Sequence, residues 1–207
     1  MRNNKYLLDT NIIIDYYMCL NISDYKERHR NYCAALGRFV MFNIGSLMMT
    51  DLTEREFMLK LIDKIVESLT PPPNDLDNKS LVEYTSNLTK ELTDNLQITI
   101  INTYSEILNK AYKLNLAINQ AIKDKEERKK TRRKLGRDII NIIHTHQNKI
   151  PLITRDETLI NALTSIKTAS YRMDQERAYG LQTERYNINM KINNETLETT
   201  LILIKTQ

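Results

Sequence analysis

The sequence predicts an α/β protein built on a parallel sheet, and three observations predict it. Short apolar runs recur along the chain, and each stops on a cluster of polar residues. Stretches with apolar residues at threes and fours separate these runs, the alternation expected of strands joined by helices. Gly and Pro number only four each in 207 residues, so turn punctuation is sparse and long helices are expected.

Tyr6-Leu7-Leu8 is the first strand candidate and stops on Asp9-Thr10-Asn11. Ile12-Ile13-Ile14 then opens a helix, with Thr10 or Asn11 placed to cap its free N–H groups. Asp9 thus falls at the carboxyl end of a strand, the edge where open α/β sheets bind ligands. A polar helical stretch through about Leu36 follows, and Phe39 to Met49 reads as a second strand broken by Gly45. Thr53 and Glu56 have the S/T-x-x-E spacing of a capping box. The helix behind them carries Phe57, Leu61 and Ile65 and must end by Pro71-Pro72-Pro73.

From Asn74 to about Ile122 the pattern is helical, with Leu81, Leu88, Leu92, Leu96, Ile100, Tyr104, Leu108 and Tyr112 as its apolar positions. Ile139-Ile140 and Ile142-Ile143 mark a further amphipathic helix. Lys149 to Ile153 is a short strand candidate ending on Thr154-Arg155-Asp156, followed by a helix through Leu163. Beyond Thr164 the signal weakens, apart from a closing strand at Leu201-Ile202-Leu203-Ile204. The expected organisation is one domain over 1–207, with a strand-free helical insertion at about 70–135 and a C-terminal extension at about 164–207.

A net charge of +4 is mild, so its distribution matters more than its sum. No run approaches the roughly 20 apolar residues of a membrane span, and a cytoplasmic protein is expected. Cys19 and Cys33 lack CxxC spacing and a neighbouring His pair, and two reduced thiols are the expectation. His144 and His146, two apart, fall on different helix faces and read as surface or boundary residues.

Asp9, Asp138 and Asp156 each lie beside a strand end or at the start of an adjoining helix. In a parallel sheet such ends share one edge, so these carboxylates can converge. Converging carboxylates raise one another's pKa, a cost that a hard divalent cation removes. Each Asp alone reads more simply as a helix cap, and Glu56 alone as a capping-box partner. Their combination favours a metal site.

The same residues carry a resemblance. Leu7-Leu8-Asp9-Thr10-Asn11 resembles the opening of PIN-domain nucleases, and Thr53-Glu54-Arg55-Glu56-Phe57 is similar to that family's T-x-x-E element. Gly136-Arg137-Asp138-Ile139-Ile140 resembles the helix start bearing the third acid, and Pro151-Leu152-Ile153-Thr154-Arg155-Asp156 the strand ending in T-R-D. The elements occur in the family's order and cover about half the chain. The resemblance implies a three-layer α/β/α fold with a central parallel sheet and a metal-dependent phosphodiesterase acting on RNA. It implies that Asp9, Glu56, Asp138 and Asp156 hold Mg²⁺ or Mn²⁺, and that Asn11 and Thr154 orient them through hydrogen bonds. The closest subtype implied is the toxin endoribonuclease, with a homodimer and a cognate antitoxin as partners. DNA or a branched substrate, or an RNA-binding module without catalysis, are the alternatives.

Residues 123–137 hold nine basic and three acidic side chains. Such a run is commonly a solvated helical face. Because it leads directly into Asp138, phosphate contact by Arg132, Arg133, Lys134 and Arg137 is an equal expectation.

Overall fold

A computed structural model describes residues 5–68, 78–122 and 135–205, with side chains described for 5–64, 79–122 and 135–205. Arg132, Arg133 and Lys134 therefore lie outside the described residues. So do the Pro71–Pro73 run and the side chain of Ile65.

Strand β1 (Tyr6–Leu8) leads into α1 (Thr10–Asn21), α2 (Ser23–Arg28) and α3 (Arg30–Phe42). Then come β2 (Leu47–Thr50), α4 (Asp51–Ser68), α5 (Asn78–Asn95), β3 (Thr99–Ile101) and α6 (Ser105–Ala121). Helix α7 (Asp138–Asn148), β4 (Leu152–Thr154) and α8 (Glu157–Thr164) precede a meander of β5 (Ser170–Ala178), β6 (Leu181–Ile192) and β7 (Glu195–Lys205).

The seven strands form one mixed sheet in the order β3-β2-β1-β4-β7-β6-β5. Five of them, β3, β2, β1, β4 and β7, run parallel. The other two pair antiparallel beyond β7. The expected α/β class and parallel centre are both present.

Alternate residues of a strand point to opposite faces, and the core divides accordingly. Leu7, Leu152, Leu201 and Leu203 pack with Leu114, Ile139, Ile143 and Leu159 from α6, α7 and α8. Leu8, Ile153, Ile202, Leu47 and Met49 pack with Ile12, Leu36, Phe39, Phe57 and Leu61 from α1, α3 and α4. The near-continuous apolar composition of β1 and β4 follows from burial on both faces.

Several sequence expectations are corrected. The strand expected over Phe39–Met49 is the end of α3 followed by a separate β2. Leu36, Phe39 and Val40 are buried at helical spacing, and Asn43 closes the helix by donating to the Phe39 carbonyl. The chain then turns at Gly45, with φ +75°, so two apolar elements abut and read as one.

The segment 70–135 is not free of strands. β3 pairs in parallel with β2 through Met48–Thr99, Met49–Ile100 and Thr50–Ile101, and α6 contributes Ile107, Leu114 and Ile118 to the core. A three-residue edge strand is too short to interrupt a helical pattern visibly.

The C-terminal residues are a full meander. β5 is exposed along nearly all its length, so it carries no apolar alternation. Its turns are nonetheless marked in sequence: Tyr179-Gly180 and Asn193-Asn194 all have positive φ, the requirement of a tight two-residue hairpin.

Cys19 and Cys33 are not free thiols but form a disulfide between α1 and α3, their Cα atoms 5.3 Å apart. Their separation of 14 residues conceals that the two helices lie side by side. No helix among the described residues is long and apolar enough to cross a membrane.

Candidate active site

The chain moves outward from β1 to β2 and β3, then returns to place β4 on the other side of β1. The boundary between β1 and β4 is therefore the topological switch point. Connections leave the two strands in opposite directions there and open a crevice at their carboxyl ends. Asp9 directly follows β1, and Asp156 follows β4 by two residues.

Asp9 is the N-cap residue of α1 but makes no side-chain capping bond, so the expected caps Thr10 and Asn11 are corrected to positions inside the helix. The Asp9 carboxylate is 4% exposed and is held from the side. Thr154 Oγ1 donates to its Oδ2 at 2.5 Å and Asn11 Nδ2 at 2.7 Å. Thr154 in turn accepts the Asp156 backbone N–H at 3.0 Å, while Asn11 Oδ1 accepts the Arg155 N–H at 3.2 Å. One network thus ties the ends of β1 and β4 together. Burial, with the charge of Glu56 adding to it, outweighs the hydrogen bonds from Thr154 and Thr10 and pushes the Asp9 carboxyl up to about 6.

Asp138 is the first residue of α7, whose N-cap residue is Arg137. Burial pushes its carboxyl up to about 8, and the charges of Asp9, Asp156 and Glu56 push in the same direction, Lys60 opposing. Asp156 does cap, accepting from the Thr158 N–H at 2.7 Å, so its simpler reading holds alongside its place at the site.

Glu56 is not a capping-box partner. The Thr53 N–H is satisfied by Thr50 Oγ1 at 3.1 Å, and Glu56 reaches instead across to α1, accepting from Thr10 Oγ1 at 2.8 Å. Lys60 and Arg137 lie 3.0 and 3.5 Å from its Oε1. Burial pushes Glu56 up, but this hydrogen bond and the two cations outweigh it and hold the carboxyl below its usual range. Arg137, the one described member of the expected phosphate-contacting set, is thus paired with an acid of the site.

The structure brings all four sequence-predicted acids, with Asn11 and Thr154, to one edge. Among the described residues, no three His, Cys, Asp or Glu side chains close into a ready-made metal cage. The acids are electrostatic neighbours, close enough to raise Asp138, rather than a finished coordination shell.

Sequence reasoning missed a polar network beneath the acids. Asn141, one turn after Asp138, is buried and accepts from Thr50 Oγ1 at 3.1 Å, with Thr53 Oγ1 within reach at 3.4 Å. His144, a further turn along, is 2% exposed rather than a surface residue. Its Nε2 lies 3.2 Å from Thr103 Oγ1, which donates to Asp51 at 2.6 Å. Burial pushes the His144 imidazole down, with the Asp51 charge opposing. The spacing Asp138, Asn141, His144 was the available signal, since positions three apart share a helix face. Compared with protein-family models and with curated proteins, the chain finds no match.

Proposed function

We propose that this chain is a divalent-metal-dependent nuclease of PIN-domain type, with the three-layer α/β/α arrangement of that family, hydrolysing phosphodiester bonds in RNA. One observation carries the reading. Four carboxylates from four separate elements gather as electrostatic neighbours at the switch point, and burial, with the charges of three of them, raises the fourth to about 8. Crowding of this kind destabilises a metal-free fold, and sites that perturb carboxylates this way are candidates for function.

The donor set suits a hard cation, because Asp9, Glu56, Asp138 and Asp156 offer only carboxylate oxygens. Mg²⁺ or Mn²⁺ held there would supply Lewis acidity and a water of lowered pKa. The chain's own residues do the rest. Thr154 and Asn11 fix the Asp9 carboxylate by two hydrogen bonds on Oδ2. Thr10 sets the rotamer of Glu56. Lys60 and Arg137 place positive charge beside the acids, where an approaching phosphate would otherwise be repelled. A homodimer and a cognate antitoxin belong to the same reading, on the strength of the toxin-like resemblance alone.

A second reading, an RNA-binding module without catalysis, draws on the capping by Asp156 and the ion pairs of Glu56. Cleavage of single-stranded RNA and DNA with Mn²⁺, Mg²⁺ or EDTA separates the two. Metal-dependent RNA cleavage, reduced at least about 100-fold in Asp9→Asn, is expected. Cleavage of DNA alone would move the substrate, RNA binding without cleavage would favour the second reading, and cleavage persisting in EDTA would overturn the metal mechanism.

A further inference from the structure

Asn11, Asp15 and Cys19 follow one another at intervals of four along α1 and so share a face. Each makes a cross-link. Asn11 holds Asp9, Thr154 and the Arg155 N–H. Cys19 is bonded to Cys33 of α3. Asp15, between them, is 7% exposed and accepts from three donors: Tyr25 Oη at 2.9 Å, Tyr32 Oη at 2.7 Å and Arg155 Nη1.

The Arg155 guanidinium also sits over the Tyr32 ring, 5.5 Å from its centroid. Tyr32 directly precedes the disulfide residue Cys33, so α1 and α3 are tied covalently beside the point where Asp15 meets Tyr32. Burial, and then the Asp15 charge, push both tyrosine hydroxyls upward and keep them as donors. A buried carboxylate with three donors is a stiff anchor, because releasing a tyrosine leaves a buried acceptor site unmet and releasing Arg155 leaves the charge uncompensated.

Arg155 lies between Thr154 and Asp156, so α1 grips this turn twice, by its backbone through Asn11 and by its side chain through Asp15. We propose that Asp15 and Arg155 are positioning residues, an ionic clamp that seats the Thr154–Asp156 turn on the α1–α3 platform and sets the spacing between the Asp9 and Asp156 carboxylates. The clamp acts through the turn and touches neither substrate nor cation. Its catalytic consequence rests on the nuclease reading, whereas its structural consequence does not.

The test uses the full chain with Asp15→Asn, Arg155→Met and Arg155→Lys, read by amide hydrogen exchange, Mn²⁺ binding followed by EPR, and RNA cleavage. In Arg155→Met and Asp15→Asn the Arg155 and Asp156 amides should exchange on the order of tenfold faster, since the turn opens locally. Mn²⁺ affinity should fall about 10–100-fold, as for other residues that orient metal ligands. kcat at limiting Mn²⁺ should fall with it while KM for RNA changes little; because an unfolded fraction would also lower kcat alone, urea denaturation must show these variants folded under the assay conditions. Arg155→Lys should recover part of each loss, because an ammonium can reach Asp15 but cannot stack on Tyr32 as the planar group does.

Unchanged exchange at both amides in Arg155→Met and Asp15→Asn would overturn the clamp. So would altered exchange with Mn²⁺ affinity intact. A wild-type chain that neither binds Mn²⁺ nor cuts RNA would sink the nuclease reading, and the exchange data would still decide the clamp. Should Arg155→Met fail to fold, Tyr32→Phe removes one donor from Asp15 and must still speed exchange at Arg155.

Discussion

Replacing Asp138 by Asn should stabilise the metal-free protein, and the gain should grow with pH. Burial and the charges of Asp9, Asp156 and Glu56 push this carboxyl up to about 8 in the folded chain, whereas an unfolded aspartate titrates near about 3.9. Between those values the unfolded chain has released a proton that the folded chain keeps, so raising the pH favours unfolding. The penalty is absent below about pH 4, grows through neutrality and is complete above about pH 8. A rigid site would lose about 4 kcal/mol at pH 7 on this account. Asp138 opens a helix and keeps partial contact with solvent, which screens its charge and reduces the loss to about 1–3 kcal/mol. Asn has the shape of the protonated acid and no charge to desolvate. For a chain of this length each kcal/mol moves Tm by about 2–4 °C, so Asp138→Asn should melt roughly 2–12 °C above the wild type at pH 8 and level with it at pH 4. Calorimetry in EDTA across pH 4–9 measures this directly. A gap that stays flat with pH, or a variant less stable than wild type at pH 8, would refute the reasoning. Saturating Mn²⁺ should reverse the order, since ligand at 100 times Kd adds about 2.7 kcal/mol to the chain that binds it.

Asn141→Leu removes the acceptor that Thr50 Oγ1 uses in a buried setting and should cost about 1–3 kcal/mol in urea denaturation; no loss would mean that the Asn141 amide is not holding α7 against β2. Cys19→Ser opens a link across 14 residues and should cost about 3 kcal/mol in the absence of reductant. Reductant should then lower Tm in the wild type and not in the variant, and a wild-type Tm indifferent to reductant would count against the link.

The elements read correctly from sequence were those whose signal is local. β1 and β4 are runs of Leu and Ile because both their faces are buried, and each gives way to polar residues at the site. Asp9 and Asp156 were legible for the same reason, a strand end being visible as an abrupt change from apolar to polar. Glu56 was ambiguous because a capping glutamate and a site glutamate have the same spacing, and only the packing of α4 against α1 turns it towards Thr10.

Elements that depend on a distant partner were lost. β3 is three residues that are a strand only because β2 lies beside them. β5 has almost no buried face and is held by its ladder to β6. The Cys19–Cys33 bond and the Asp15–Arg155 clamp join residues 14 and 140 positions apart, and no periodicity records such pairs.

By itself, then, the sequence determined the class of fold, the two central strands and the acids at their ends, because burial and chain reversal leave a mark within a few residues. Which side chains those acids meet, how far burial raises them, and what clamps the turn that carries Asp156 were decided by the tertiary structure alone. Desolvation and charge coupling depend on distance in space, which the order of residues along the chain does not encode.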